Sequence, residues 1–372
     1  EQIEITGVER IGSFQFRADT VSWKKANIEV NQHQKNHPKD NAFHASWNAT
    51  RGSDTKVIFN SADIKLNTYI TELATRNVSV TEGRIPEING LKVSGTQLQF
   101  NSPSYGVSLS GYQFTDRQSS ELKNISLRIP AGKKLINLQL PTLNVKADLS
   151  DAMHGRSAFD EIILNNPVIS LEDRLFYGED PVNNRIKIPL LSIKRMELNQ
   201  PVFNHLPSTL ANNRDSIKAE PGNMYFENIR SDGKQLYIGN AGLSLKSLQW
   251  ENENFFIRTG QNSPINIQLS GLTIYPDKKD EKLNWDVKIN TVNTGYLDAG
   301  SLSAGQVTNR ITLNGLRLSG LKAGTDYRYG ISDFLILNPD LQIQTSLLTM
   351  TNERSVYKIN GFSFDNGKEY LS

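Results

Sequence analysis

The chain contains no cysteine. That excludes a disulfide framework and any thiolate metal site, and it fits an oxidising compartment, where unneeded thiols are a liability. Long hydrophobic runs are missing too: Phe334-Leu335-Ile336-Leu337 is typical of the longest, against the roughly 20 apolar residues a bilayer-spanning helix needs. Charge of one sign is absent, since 41 basic and 39 acidic residues leave a net +2. Lys24-Lys25, Lys133-Lys134 and Lys278-Lys279 are isolated doublets, whereas nucleic-acid binding needs clustered cations on one face. No nucleic-acid partner is expected. Histidine is scarce, with five in 372 residues. His33, His37 and His44 with Asp40 form the one cluster, but Pro38 breaks the helix that a His-x-x-x-His ligand pair requires. They read as a solvated loop, and no metal or cofactor is expected.

Catalytic patterns are equally sparse. Glu172-Asp173 and Glu179-Asp180 supply carboxylates, yet beside Gly178 and Pro181 they read as turn formers. There is no phosphate-cradling glycine loop, nucleophile elbow or calcium loop. No acid, base and nucleophile emerge together, so no catalytic residues are assigned and a non-enzymatic role is expected. Asn48, Asn77 and Asn124 open glycosylation-type triplets. Tyr225, Tyr237, Trp250 and Trp285 fit either a sugar-stacking platform or a core, and the core reading is favoured.

What is present is alternation. Leu283, Trp285, Val287 and Ile289 alternate with polar residues, as do Ile265-Ile267-Leu269 and Leu143-Val145-Ala147-Leu149, with shorter copies along the chain. Period two places these side chains on one face of a strand, and one-sided burial favours antiparallel sheets. The expected fold is all-β: an elongated, twisted antiparallel sheet or groove of repeated strand modules, with at most one or two short helices. Leu66, Tyr69, Ile70 and Leu73 have helical spacing, and a second helix candidate runs from Asp151 to Ile163. Loops are expected at 31–56, 173–184, 204–224, 276–282 and 350–355. The segment 204–224 reads as a linker between an amino-terminal part, 1–203, and a carboxy-terminal part, 225–372.

Two elements recur. The first is Ile88-Asn89-Gly90-Leu91, with copies Leu269-Ser270-Gly271-Leu272, Leu313-Asn314-Gly315-Leu316 and Ile359-Asn360-Gly361-Phe362. Its glycine sits where the alternation slips by one residue, which predicts positive φ in a bulge or a two-residue hairpin. The second places proline after Asn or Gln in strand-like context, at Pro167, Pro201 and Pro339, which predicts strand starts, edges or bulges.

The run Asp215-Ser216-Ile217, Met224-Tyr225-Phe226, Leu236-Tyr237-Ile238-Gly239-Asn240-Ala241-Gly242-Leu243, Phe255-Phe256-Ile257 and Leu269-Ser270-Gly271-Leu272-Thr273-Ile274-Tyr275-Pro276 resembles the strand cadence of AsmA-like proteins of the bacterial envelope, in particular the long forms of Bacteroidota. The proline elements are similar to that family's repeats. The resemblance implies a periplasmic β-sheet with an apolar trough, held at the inner membrane by an amino-terminal helix and serving phospholipid transport or outer-membrane homeostasis. The chain opens at Glu1 and lacks that helix, so it reads as a fragment of an anchored protein. A phospholipid or other lipid is the expected partner, and Leu283, Trp285, Val287 and Ile289 are the candidate groove face. The alternative is a structural or adhesive β-sandwich array that binds protein or glycan.

Overall fold

In a computed structural model of the chain, 84% of the described residues are strand and 1% helix. The structure describes all residues except 1, 32–42, 62, 82–85, 104, 132–133, 149–156, 174–189, 207–215, 252, 261, 277–282, 304–305, 326–334, 353 and 368–372. The chain divides into two compact units. The first holds Glu1–Asn184, Leu190–Lys194 and Asn204–Leu206; the second holds Arg185–Pro189, Arg195–Phe203 and Pro207–Ser372.

In the first unit β1 (Gln2–Thr6) and β2 (Glu9–Gly12) lie end to end along β3 (Gln15–Lys24). Next come β4 (Asn27–Asn31), β5 (His44–Asn60), β6 (Lys65–Thr81), β7 (Glu87–Asn101), β8 (Gly106–Thr115), β9 (Ser119–Ala131) and β10 (Lys134–Ala147). Finally β11 (Ser157–Asn165) and β12 (Val168–Asp173) both pair with β10 and act as one interrupted strand. From β5 onward each strand pairs antiparallel with the next, a meander of local hairpins. The pairings of β3 and β4 with β5 are parallel, an exception that the one-sided pattern did not announce, because parallel and antiparallel neighbours share the same alternation.

β13 (Leu191–Asn199) and β14 (Val202–Leu206) contribute residues to both units. The second unit continues with β15 (Ser216–Ser231), β16 (Leu236–Glu251), β17 (Phe255–Thr259), β18 (Ile265–Pro276), β19 (Leu283–Ser303), β20 (Gln306–Gly324), β21 (Gln342–Asn352) and β22 (Val356–Asp365). It too is an antiparallel meander, with β17 and β18 end to end along both β16 and β19.

Several expectations are corrected. Leu66, Tyr69, Ile70 and Leu73 lie in β6, not a helix. Their spacing arises because β6 slips register between Ile70 and Glu72; a period of two broken by a bulge imitates a period between three and four. Of the second helix candidate, residues 151–156 lie outside the described residues, and Ser157–Ile163 are in β11. The loop expected at 31–56 is strand from His44 onward. The linker expected at 204–224 is strand from Ser216, and Pro221 sits at a register shift, where a missing N–H does least harm. The loop at 350–355 shortens to a hairpin turn closed by the Asn352 N–H on the Ser355 carbonyl.

The four repeat glycines, Gly90, Gly271, Gly315 and Gly361, have φ of 58, 62, 63 and 64°. All four lie inside strands, so none is a hairpin turn; Gly90 and Gly271 sit at register shifts, whereas the ladders keep their register past Gly315 and Gly361. The proline elements divide. Asn166-Pro167 and Gln200-Pro201 interrupt strands, with φ of 51° at Asn166 and 50° at Gln200 and both prolines buried. Asn338-Pro339 follows a helical turn, Leu335 to Leu337, instead. There the buried Asn338 carboxamide oxygen accepts the Lys322 N–H at 2.6 Å, tying that turn to the end of β20.

Candidate functional site

Paired residues of neighbouring strands share a face, so the registers trace the faces directly. In the first unit Phe59, Leu66, Phe100, Val107, Leu127, Leu138 and Ile169 are partners in succession across seven strands. One residue along, the line Asn67, Gln99, Ser108, Ser126 and Gln139 is polar over five strands and ends in Ile58 on β5 and Val168 on β12. The second unit repeats the arrangement. Met224, Leu243, Ile267, Val292, Leu318, Ile343 and Phe364 form one transverse row, and Gln268, Thr291, Ser319 and Gln342 fall on the other face. Each unit therefore carries one apolar and one polar face.

Burial on the apolar face is partial. Most of its side chains are half-buried, and deep burial is confined to a few places such as Leu140, which is 2% exposed. Leu109, Ile125 and Leu140 form a core cluster, packed by Leu98, Val107, Tyr112, Leu122, Leu143 and Leu164. All of these come from neighbouring strands of the same sheet. The cluster straddles a seam at which the alternation slips: Gln97, Asn124 and Asn166 have φ of 54, 48 and 51° on every second strand. An Asn in the left-handed region is tolerated because its short amide bonds locally, and Asn124 Nδ2 donates to Ser110 Oγ at 2.9 Å. The slip brings Ile125 and Leu122, three residues apart, onto one face. Asn77 likewise has positive φ, so two of the three glycosylation-type triplets begin at backbone kinks.

Most polar atoms on this face are satisfied internally. The Trp23 indole N–H donates to Thr55 Oγ1 at 2.8 Å and that of Trp47 to Thr50 Oγ1 at 2.7 Å. The Tyr112 hydroxyl shares a 2.9 Å hydrogen bond with Thr68 Oγ1. Trp250 Nε1 is the exception among the described residues, buried with no acceptor in reach. Burial pushes the Tyr112 phenol pKa up, partly offset by its bond to Thr68. Trp23 and Tyr112 each lie over the glycine opposite, Gly52 and Gly95, so the rings lie down against the sheet and do not project from it. Charges are paired on the other face: Arg310 makes two bonds to Asp298, at 2.8 and 2.9 Å, which raise its pKa. Lys194 lowers that of Asp160.

The four candidate groove residues are placed as follows. Trp285 pairs with Ile274, which pairs with Leu236, and its side chain is 39% exposed. Val287 faces Ala323, and Ile289 lies between Leu269 and Leu321, one row from the long apolar line. Leu283 pairs with Pro276 through the backbone, and its side chain lies outside the described residues. In the first unit the sequence reading missed Trp23 and Trp47; the signal was there in Trp23 and Gly52, but pairing across a parallel crossover has no local mark.

The other candidates are dispersed. His33, His37 and Asp40 lie outside the described residues, while His44 Nδ1 bonds Thr81 Oγ1 at 2.9 Å. Among the described residues no group of three metal-ligating side chains gathers. Glu179 and Asp180 lie outside the described residues, as do the side chains of Glu172 and Asp173 at the end of β12. Tyr225 lies over Gly242, Arg230 sits over Tyr237, and Trp250 meets Phe255 edge-on at 4.6 Å, so no common aromatic platform forms from them. No helix among the described residues is long and apolar enough to cross a membrane. No protein-family model, curated protein or solved structure matches this chain.

Proposed function

We propose that the chain is a non-enzymatic, AsmA-like β-groove module of the bacterial periplasm that binds or conducts lipid along its apolar face, in a protein anchored at the inner membrane. The observation that carries the reading is the unbroken apolar row across seven strands in each unit, half-buried and backed by a polar row. An apolar sheet face in water must be covered, and acyl chains supply cover at about 0.8 kcal/mol per buried CH₂. The internally bonded indoles of Trp23 and Trp47 and the Tyr112 phenol fit this role, since a floor with few free donors favours hydrocarbon over polar ligands. A structural or adhesive sandwich ranks second. It needs two sheets stacked about 10 Å apart, whereas the described strands of each unit follow one another in a single ladder.

Trp285 provides the test, since it is the exposed indole of the face. With Trp23, Trp47 and Trp250 replaced by Phe, brominated phospholipid should quench its fluorescence well beyond a soluble control protein. Quenching equal to the control would remove the lipid reading and leave the sandwich ahead.

A further inference from the structure

The polar face of the first unit carries a cluster that the lipid reading does not use. Ser22, Arg51, Ala74, Lys92 and Thr115 are partners in succession across β3, β5, β6, β7 and β8. The adjoining row, Trp23, Gly52, Leu73, Val93 and Phe114, is apolar. Successive residues of a strand point to opposite sides, so Arg51 and Lys92 lie on the side away from that row. Arg76, two residues beyond Ala74 on β6, joins them there. Three cations on three neighbouring strands thus surround one alanine.

The small residues leave room. Arg51, Arg76 and Lys92, together with Ala49, Ala74 and Gly90, line a cavity of about 610 Å³. A Cβ on Gly90 would lie 3.4 Å from Cγ and Cδ of Arg76, so the arginine stem rests beside the glycine of β7. Exposed cations elsewhere in this unit meet carboxylates, as Lys123 does with Glu121 at 3.1 Å and Lys194 with Asp160 at 2.6 Å. Arg51 and Arg76 are diagonal to each other and share the cavity, yet neither has a hydrogen-bond or ion-pair partner among the described residues. Lys92 reaches Glu72 at 3.4 Å with both side chains about half exposed, a pair that contributes little. Asp116, the one carboxylate of the lining, is 3.9 Å from Arg117.

Like charges on neighbouring strands repel, and a multivalent anion between them removes that repulsion. The guanidinium fork matches phosphate oxygens two at a time, and lysine adds a point charge. A carboxylate, with two oxygens and one charge, leaves part of such a set unmatched. Gln113 and Thr115, in the same lining, offer hydrogen bonds to a polar group esterified to the phosphate. We propose that this cavity binds a phosphate group, held by Arg51 and Arg76 with Lys92. The phosphate belongs to a soluble ester or to a lipid headgroup.

Two arms of one experiment distinguish these sources. In the first, inorganic phosphate and glycerol phosphate are titrated calorimetrically into the chain, with chloride at matched ionic strength as reference. In the second, the chain is sedimented with phosphatidylcholine vesicles, with and without phosphatidic acid. Saturable binding in the first arm identifies a soluble ester; binding that appears only with phosphatidic acid identifies a headgroup. Whichever arm binds, Arg51→Gln and Arg76→Gln should each weaken it about tenfold, the loss of one charge-assisted contact. Glu72→Gln frees Lys92 and should tighten it about twofold, the release of a weak exposed pair. Lys194→Gln on β13 and Asp160→Asn on β11 change net charge by the same amounts and should leave it unchanged. Circular dichroism verifies each fold, since Arg51, Arg76 and Glu72 are exposed. No binding in either arm overturns the inference, as does a loss in the Lys194 variant equal to that in the arginine variants. The contrast between the two vesicle types cancels any binding by the apolar face. Failure here therefore leaves the quenching experiment standing, and failure of quenching leaves this site standing.

Discussion

At the level of single residues, glycine serves two separate needs in this protein, and substitution distinguishes them. A Cβ on Gly95 would lie 2.4 Å from the Tyr69 carbonyl oxygen and 2.4 Å from the Tyr112 hydroxyl. The hydroxyl belongs to a side chain that can swing; the carbonyl is backbone and cannot. A Cβ on Gly271 would meet nothing within 4 Å, but that residue holds φ at 62°. Gly95→Ala should therefore destabilise by about 2–3 kcal/mol through overpacking, and Gly271→Ala by about 1–2 kcal/mol through the left-handed backbone alone. Urea unfolding midpoints measure both. Equal and negligible effects would show that neither the ring–glycine contact nor the bulge constrains the strand.

Single elements are closed by short polar turns and held by their ladder neighbours. Between β15 and β16, the Asp232 carboxylate accepts the Lys234 and Gln235 N–H groups at 2.8 and 2.9 Å. Those bonds, Gln235 first, hold its pKa below the ordinary aspartate value. A carboxyl whose folded pKa is depressed stabilises above the unfolded value of about 3.9. That contribution disappears as pH falls through the lower folded value, because the unfolded chain then binds the proton more readily. Asp232→Asn keeps an acceptor in the turn and removes the charge. The difference in urea midpoint between parent and variant should shrink as pH drops below about 4; a difference independent of pH would contradict the account. At the seam, Leu140 is the deepest side chain of the core cluster. Leu140→Ala should cost about 2–4 kcal/mol, and faster hydrogen exchange should appear in β9, β10 and β11, the strands around it. Loss of protection spread evenly over the whole chain would contradict so local a core.

For the molecule as a whole, each strand is stabilised by the pair of strands beside it, and each unit exposes one apolar face to be covered. The described strands all belong to one sheet and the one described helix is a single turn, Leu335 to Leu337, so little is available to cover the apolar faces and many of their side chains stop at half-burial.

Alternation in runs such as Leu283 to Ile289 determined by itself that the chain is all-β with one-sided strands, because a two-residue period is a property of the strand and not of its neighbours. The glycine of Asn-Gly-Leu was legible as a left-handed residue for a similar reason: only a residue without Cβ enters that region freely. The parallel turn of β3 and β4 onto β5, the resting of Trp23 on Gly52, and the helical turn at Asn338-Pro339 were not legible. Each depends on which strand comes to lie alongside, and that is settled by hydrogen bonds between residues far apart in the chain. Asn77, Asn124 and Asn166 mark the same divide. In the sequence Asn77 and Asn124 open glycosylation-type triplets and Asn166 precedes a proline in strand-like context, whereas in the sheet all three have positive φ where the alternation slips, and at Asn124 the apolar Leu122 and Ile125, three apart, meet in one cluster. Sequence decides which side chains are apolar; only the registers bring them into rows, because a row exists across strands and never along one.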